Sequence, residues 1–235
     1  MSPSLPPLPA LDDEVAMQKY FVAANANWLV PGVVMVGSNP NRAAEGAEKY
    51  LEKLAAVGKI TTYVCLQSEV PPQSKDAEAL GGLVSGDQSD AMPSYANAVV
   101  TVDPASEPKF VHYGTNDDEI IASMEELSTL ILNLGKRIEA GEVLYIHCKG
   151  GTGRTGTVAA CVLGKLYPEL SSDEVLERVQ KYCDVRLSGQ GKWVNPAVRS
   201  PATDGQKEQV KEFLAIGATE AEASPASEQG GCSLM

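Results

Sequence analysis

The stretch Leu144-Tyr-Ile-His-Cys-Lys-Gly-Gly-Thr-Gly-Arg-Thr-Gly156 constrains this chain more than any other. An apolar run leads into a cysteine, a glycine-rich turn, an arginine and then helix-like sequence. Five residues separate Cys148 from Arg154, so a loop folding back on itself aims both side chains and several backbone N–H groups at one spot. Gly150, Gly151 and Gly153 allow unusual dihedrals and close approach, and N–H groups converging where a helix begins favour an anion. Arg154 adds a permanently charged planar fork suited to two phosphate oxygens. A thiol is a poor nucleophile until ionised, and a helix N-terminus with a nearby cation favours the thiolate. The cradle that binds a phosphate therefore also prepares the group that attacks it.

Two other readings of such a loop are available. A buried cysteine before a strand-to-helix turn often behaves as an inert small hydrophobe. A nucleotide-binding loop needs Lys-[Ser/Thr] after its last glycine, whereas Gly156 is followed by Thr157-Val158.

The surrounding chain reads as one α/β domain, with a central mixed, mostly parallel sheet of about five strands flanked by helices. Residues 1–19, with prolines at positions 3, 6, 7 and 9, read as a flexible arm. Trp28–Val30 and Val33–Val36 around Pro31-Gly32 suggest a hairpin, and Ala43–Val57 a helix stopped by Gly58. Ile60–Leu66, Ala98–Val102, Phe110–Tyr113 and Val143–Ile146 read as strands. Residues 67–96 read as a long loop insertion, either a lid or a disordered segment. An amphipathic helix is expected over 120–140, a helix apolar on most sides and packed under the sheet over 155–167, another from a Ser171/Glu174 capping box to about Tyr182, and a last one opening at Ser200-Pro201. The domain thus spans 20–216, and 217–235 reads as a disordered acidic tail.

Asp and Glu outnumber Lys and Arg by 31 to 19, and no basic block occurs, which argues against nucleic acid or an anionic membrane bound by charge alone. The five cysteines lack metal-like spacing and no secretory signal precedes them, so a reduced cytoplasmic location is expected. No apolar run reaches the roughly 18 residues of a membrane span. Neither a metal nor a cofactor is expected.

The segment His147-Cys148-Lys-Gly-Gly-Thr-Gly-Arg154-Thr155 resembles the His-Cys-(five residues)-Arg-[Ser/Thr] signature of the cysteine-based protein tyrosine and dual-specificity phosphatases. The resemblance extends from the Trp28-Leu-Val-Pro-Gly32 segment to the Ser200-Pro201 helix. It implies that Cys148 forms a phosphocysteine, Arg154 holds the equatorial oxygens, Thr155 assists thiolate departure and His147 tunes the loop, with Lys149, Gly150, Gly151, Thr152 and Gly153 completing the phosphate cradle. Phe110 to Asp117 resembles the strand and loop that end in the family's general acid. Asp117 is assigned that role, with the adjacent Asp118 as the alternative register. Acidic residues there also suit the start of the next helix. His112 is read as structural, and Gln206 and Gln209 as surface residues on the polar side of a helix rather than water-orienting glutamines.

The substrate class implied is a phosphoprotein carrying phosphotyrosine and phosphoserine or phosphothreonine. Lys149 also follows the nucleophile in inositol-lipid phosphatases, but their second loop lysine is here Thr152, so a phospholipid is the alternative. A phospho-binding module without turnover and a rhodanese-like sulfur transferase are the rivals in other classes. The final Cys232-Ser-Leu-Met235 fits a farnesylation box at Cys232. Without a basic stretch before it, one lipid gives only reversible membrane association.

Overall fold

A computed structural model of the chain describes residues 5–83, 92–104, 107–188 and 197–223. The strands are β1 (Phe21–Ala23), β2 (Ala26–Val30), β3 (Val34–Ser38), β4 (Thr62–Gln67), β5 (Glu78–Gly82), β6 (Lys109–Thr115) and β7 (Leu144–Cys148). The helices are α1 (Glu14–Gln18), α2 (Ala47–Val57), α3 (Ala96–Val102), α4 (Met124–Glu139), α5 (Gly153–Leu166), α6 (Ser172–Ser188) and α7 (Asp204–Ala223), with a 3₁₀ turn at Pro40–Arg42. They build a seven-stranded sheet in the order β1-β2-β3-β7-β4-β6-β5. Pairing is parallel from β3 across to β5 and antiparallel for β1-β2 and β2-β3. The mixed, mostly parallel sheet expected from the sequence is present, with β1 and β5 as its additional strands.

Residues Leu144–Cys148 are buried throughout because β7 lies between β3 and β4 with neighbours on both edges. Such a strand carries no polar alternation. Helix α5 returns from it against the sheet and is ringed by α4, α6 and α7, so twelve successive residues, Gly153–Gly164, are buried. The outer helices are amphipathic instead. In α4 the buried face is Leu127, Leu130, Ile131, Leu134 and Ile138, the Ser123 hydroxyl caps the Glu126 N–H at 3.1 Å, and Gly141 turns the chain out at φ 84°. The Ser171/Glu174 box opens α6 as its sequence predicts: Ser171 N–H donates to Glu174 at 2.9 Å and Glu174 N–H to Ser171 Oγ at 3.3 Å.

Several expectations are corrected. Ala98–Val102 is helical, within α3. Its Val-Val-Thr-Val sequence favours a strand, but only Val99 is buried and the sheet has no place for it, so tertiary context overrides propensity. The segment 67–96 is not one long loop, since it contributes β5, parallel to β6, and the start of α3. Residues 5–19 are not a free arm: Leu5 and Leu8 pack on the core, and α1 buries Met17. Helix α7 begins three residues after Pro201 and continues past 217 to Ala223. Cys232 and its box lie outside the described residues. Among the described residues no helix is long and apolar enough to cross a membrane.

Candidate active site

Parallel strands end together on one side of a sheet, and in open α/β folds the crevice beyond those ends is where ligands bind. Cys148 closes β7 there, Ser38 lies beside it on β3, and α5 starts five residues later at Gly153. The intervening loop is fixed at Gly151, with φ at 75°. A Cβ there would stand 2.4 Å from the carbonyl carbon and oxygen of Gly37, so both the backbone angle and the close approach require glycine. Gly151 is held from both sides. Its N–H donates to Cys148 Sγ at 3.2 Å, while its carbonyl accepts from Arg186 Nη2 on α6 at 3.1 Å.

Arg154, in the first turn of α5, has a side chain only 1% exposed. Its Nη1 donates to Glu69 Oε2 and to the Thr115 carbonyl, both at 2.7 Å, and its Nη2 to Glu69 Oε1 at 3.0 Å. Asp117 Oδ1 also approaches Nη2 at 3.0 Å. Nε is buried and has no hydrogen-bond partner among the described residues. Burial works against the charged guanidinium, yet Glu69, Cys148 and Asp117 together hold its pKa above the ordinary arginine value. Burial likewise pushes the Glu69 carboxyl up, but its hydrogen bonds to Arg154 outweigh this and leave it below the usual carboxylate range. Glu69 is itself placed by a relay in which Asn39 Nδ2 donates to Gln67 Oε1 at 2.8 Å and Gln67 Nε2 to Glu69 Oε1 at 2.9 Å.

His147 is wholly buried behind Cys148, its Nε2 2.6 Å from Tyr95 Oη and its Nδ1 3.3 Å from the Cys148 carbonyl. Burial drives its pKa down to about 3, so it serves the loop as a neutral, oriented dipole. Thr155 is buried one residue after Arg154, and its hydroxyl has no hydrogen-bond partner among the described residues. Lys149 is half-buried, and its carbonyl accepts from Asn39 N–H at 3.3 Å. Beside the nucleophilic candidate, Cys65 on β4 is fully buried with its thiol pushed up to about 12 by burial, which leaves it a neutral core group.

The loop expected to carry the acid follows β6. Asp117 is 62% exposed and reaches Arg154, whereas Asp118 takes a left-handed φ of 60° at the exposed turn. The arrangement brings Asp117 to the arginine and leaves Asp118 beside it. His112 is buried with Nε2 2.8 Å from the Gln67 carbonyl, a structural contact.

Gln206 and Gln209 depart from the sequence reading, for both are buried. Gln206 Nε2 donates to the Glu119 carbonyl at 2.9 Å, and its Oε1 accepts from Ala202 N–H at 3.0 Å and Thr203 N–H at 3.2 Å. Gln209 takes the Ile121 N–H at 3.0 Å and gives to the Ile121 carbonyl at 2.8 Å. They fasten the exit of the loop after β6 to α7. Their face of α7 is polar yet buried, because it meets unpaired loop backbone rather than water. Glu69 and Arg186 were also missed. The only sequence signal for Glu69 was an acidic residue just past a buried strand in a loop too long to be idle, and for Arg186 a lone arginine among the apolar positions of α6.

A thiol, a buried guanidinium and a carboxylate are thus gathered around a glycine loop at the end of a central parallel strand, an arrangement suited to an oxyanion. Residues 94–186, which include Asp117, Cys148 and Arg154, match the PTP-SAK family model, described as a Swiss Army Knife protein, DSP-PTPase phosphatase domain. The fold is that of solved phosphatases. Tk-PTP in its active form is 21% identical with a TM-score of 0.53, over 81% of this chain and 97% of that one. PTPMT1 is 15% identical with a TM-score of 0.52, over 82% of this chain and 96% of that one. Kinase associated phosphatase, with its catalytic cysteine replaced by serine, is 17% identical with a TM-score of 0.51, over 79% of this chain and 87% of that one. No curated protein matches the chain in sequence. Residues 94–186 are therefore similar to a DSP-PTPase phosphatase domain, and the chain as a whole shares the fold of these solved phosphatases.

Proposed function

We propose that this protein hydrolyses phosphomonoesters on proteins, at phosphotyrosine and at phosphoserine or phosphothreonine, through a phosphocysteine at Cys148. The observation that carries this reading is the convergence of Cys148 Sγ, the Gly151 N–H and Arg154, whose Nε is unpartnered and whose Nη2 is shared with Asp117. An incoming phosphate takes Nε and Nη2 as a bidentate pair. That frees the Asp117 carboxyl to turn toward the leaving oxygen.

In the first step the Cys148 thiolate attacks phosphorus, the bond to the leaving oxygen breaks and Asp117 supplies that oxygen's proton. Arg154 and the loop N–H groups hold the equatorial oxygens as charge spreads onto them. In the second step water attacks the phosphocysteine, the Asp117 carboxylate takes the water's proton, and the S–P bond breaks with the Thr155 hydroxyl donating to the departing thiolate. Lys149 attracts phosphate by charge. Asp118 remains the alternative acid, one residue away.

Purified protein should hydrolyse an aryl phosphate, and Cys148→Ser should abolish turnover while retaining oxyanion binding. Equal activity in that variant would sink the mechanism. Asp117→Ala should slow chiefly substrates with poor leaving groups, and an effect seen only in Asp118→Ala moves the acid by one position. A panel of phosphopeptides, phosphoinositides and inorganic polyphosphates tests the substrate class. Preference for the lipids would favour the reading in which Lys149 marks a phosphoinositide site. If the lipid box at Cys232 is used, mass spectrometry of protein from a farnesylating host will show the modification.

A further inference from the structure

The proline-rich stretch that the catalytic reading leaves unused is organised with a period of three. In Leu5-Pro-Pro-Leu-Pro9 every residue is a proline or precedes one. Proline fixes φ, and a following proline excludes the helical region, so local sterics confine the segment to an extended polyproline helix. That helix has three residues per turn and pairs none of its own carbonyls. Burial follows the same period: Leu5, Leu8 and Leu11 are half-buried, Pro6 and Pro9 are half-buried, and Pro7 and Ala10 are exposed.

The protein supplies what such a ligand lacks. Tyr167 Oη donates to the Pro6 carbonyl at 2.7 Å, Arg178 Nη1 to the Pro9 carbonyl at 2.7 Å and Lys181 Nζ to the Leu11 carbonyl at 3.2 Å. Pro6 and Pro9 are one polyproline turn apart, about 9 Å, so their carbonyls face the same way. Arg178 and Lys181 are three residues apart on α6 and share a face. Leu5 and Leu8, also one turn apart, pack against the core. This is side-chain reading of a polyproline backbone, a recurrent mode of peptide recognition.

We infer that the end of α5 and the outer face of α6 form a recognition surface for a proline-rich peptide, filled in this chain by its own residues 5–11, and that its occupancy is felt at the phosphate loop. The link is one helix thick. On its inner side, α6 sends Arg186 Nη2 to the Gly151 carbonyl, and the Gly151 N–H meets Cys148. Tyr182, one turn before Arg186, stacks on Tyr20 at 4.4 Å, so the segment that follows the arm also bears on α6. The recognition surface stands on geometry alone. Its effect on turnover rests on the phosphatase reading.

The test uses the full-length chain carrying Leu5→Ser, Pro6→Gly, Leu8→Ser and Pro9→Gly together, which unseats the arm without shortening the protein. A fluorescent peptide of residues 4–12 is titrated against it and against wild type by anisotropy, with aryl phosphate hydrolysis followed in parallel. The expected result is saturable binding to the variant, little binding to wild type, and a fall in kcat/KM of at least about 5-fold, the lower end of couplings between distant sites, that saturating peptide restores. Adding Tyr167→Phe and Arg178→Met to the variant should remove peptide binding. Equal peptide binding to wild type and variant, or binding that survives loss of both donors, overturns the recognition surface. Binding without any change in rate overturns the link to the phosphate loop. If wild type proves inactive on every phosphate ester, the anisotropy arm still decides the surface, so failure of the phosphatase reading and failure of this inference remain separate.

Discussion

Replacing Glu69 by alanine probes the least expected part of the site, the carboxylate that holds the plane of Arg154. The substitution removes two charge-assisted hydrogen bonds, at 2.7 and 3.0 Å, from a guanidinium that is 1% exposed. Stranding a buried charge outright costs about 3–5 kcal/mol. The loss here is smaller, because Thr115 still accepts from Nη1, Asp117 still meets Nη2, and the Glu69 side chain is 19% exposed. A destabilisation of about 2 kcal/mol follows, roughly one good charged hydrogen bond. For a chain of this size that lowers the melting temperature by about 4–8 °C. The freed guanidinium also loses its fixed orientation, and misplacement of a positioning group costs on the order of 100-fold in rate. Thermal unfolding and inhibition by orthovanadate measure the two effects. Glu69→Gln keeps an acceptor and should fall between wild type and alanine in both. Unchanged melting together with unchanged vanadate inhibition in Glu69→Ala would show that the pair does not position Arg154.

Two further predictions concern groups around the loop. Gln209→Leu leaves the buried Ile121 N–H and carbonyl without their partner, costing about 2–6 kcal/mol at 1–3 kcal/mol for each group. Urea unfolding should show this, and faster hydrogen exchange at Ile121 should show that the loop after β6 has come away from α7. His147 is held neutral by burial with its pKa lowered to about 3, so its contribution to stability is present above the unfolded value of about 6.5 and is lost as pH falls toward 3. Between those limits the unfolded chain binds the extra proton, so acid unfolding should carry a slope of about 1.4 kcal/mol per pH unit from this one group. His147→Gln should remove that slope, and an unaltered pH dependence would mean the imidazole is reached by water.

Much of the architecture is legible because local pattern and tertiary context agree. The core face of α4, the capping box of α6 and the buried strand leading to Cys148 all follow from periodicity and end signals in the chain. The phosphate loop is legible for another reason. Its spacing compresses a cysteine, three glycines and an arginine into one turn, and few other structures need that combination. Glu69, Arg186, Gln206 and Gln209 are different, since each acts across a long sequence separation and looks like an ordinary surface polar residue until the backbone it satisfies is brought to it. The arm shows the opposite error. Taken alone its prolines point to a segment without order, whereas in the fold they pre-shape a segment that the protein binds.

The outer strand β5 carries a consequence for how the protein behaves when concentrated. An unpaired strand edge is a template on which a second molecule can extend the sheet. Here the strand is five residues long, its first residue Glu78 is ion-paired to Arg137, and it ends in Gly81 and Gly82 with φ at 114° and 78°. Two successive residues at positive φ shift the register between Ala79 and Gly82, and a Cβ at Gly82 would strike the Gly114 carbonyl oxygen at 2.3 Å, so Gly82 admits no side chain. The same pair that seats β5 on β6 therefore keeps its free side from growing, a safeguard against sheet-to-sheet assembly that owes nothing to the site it borders.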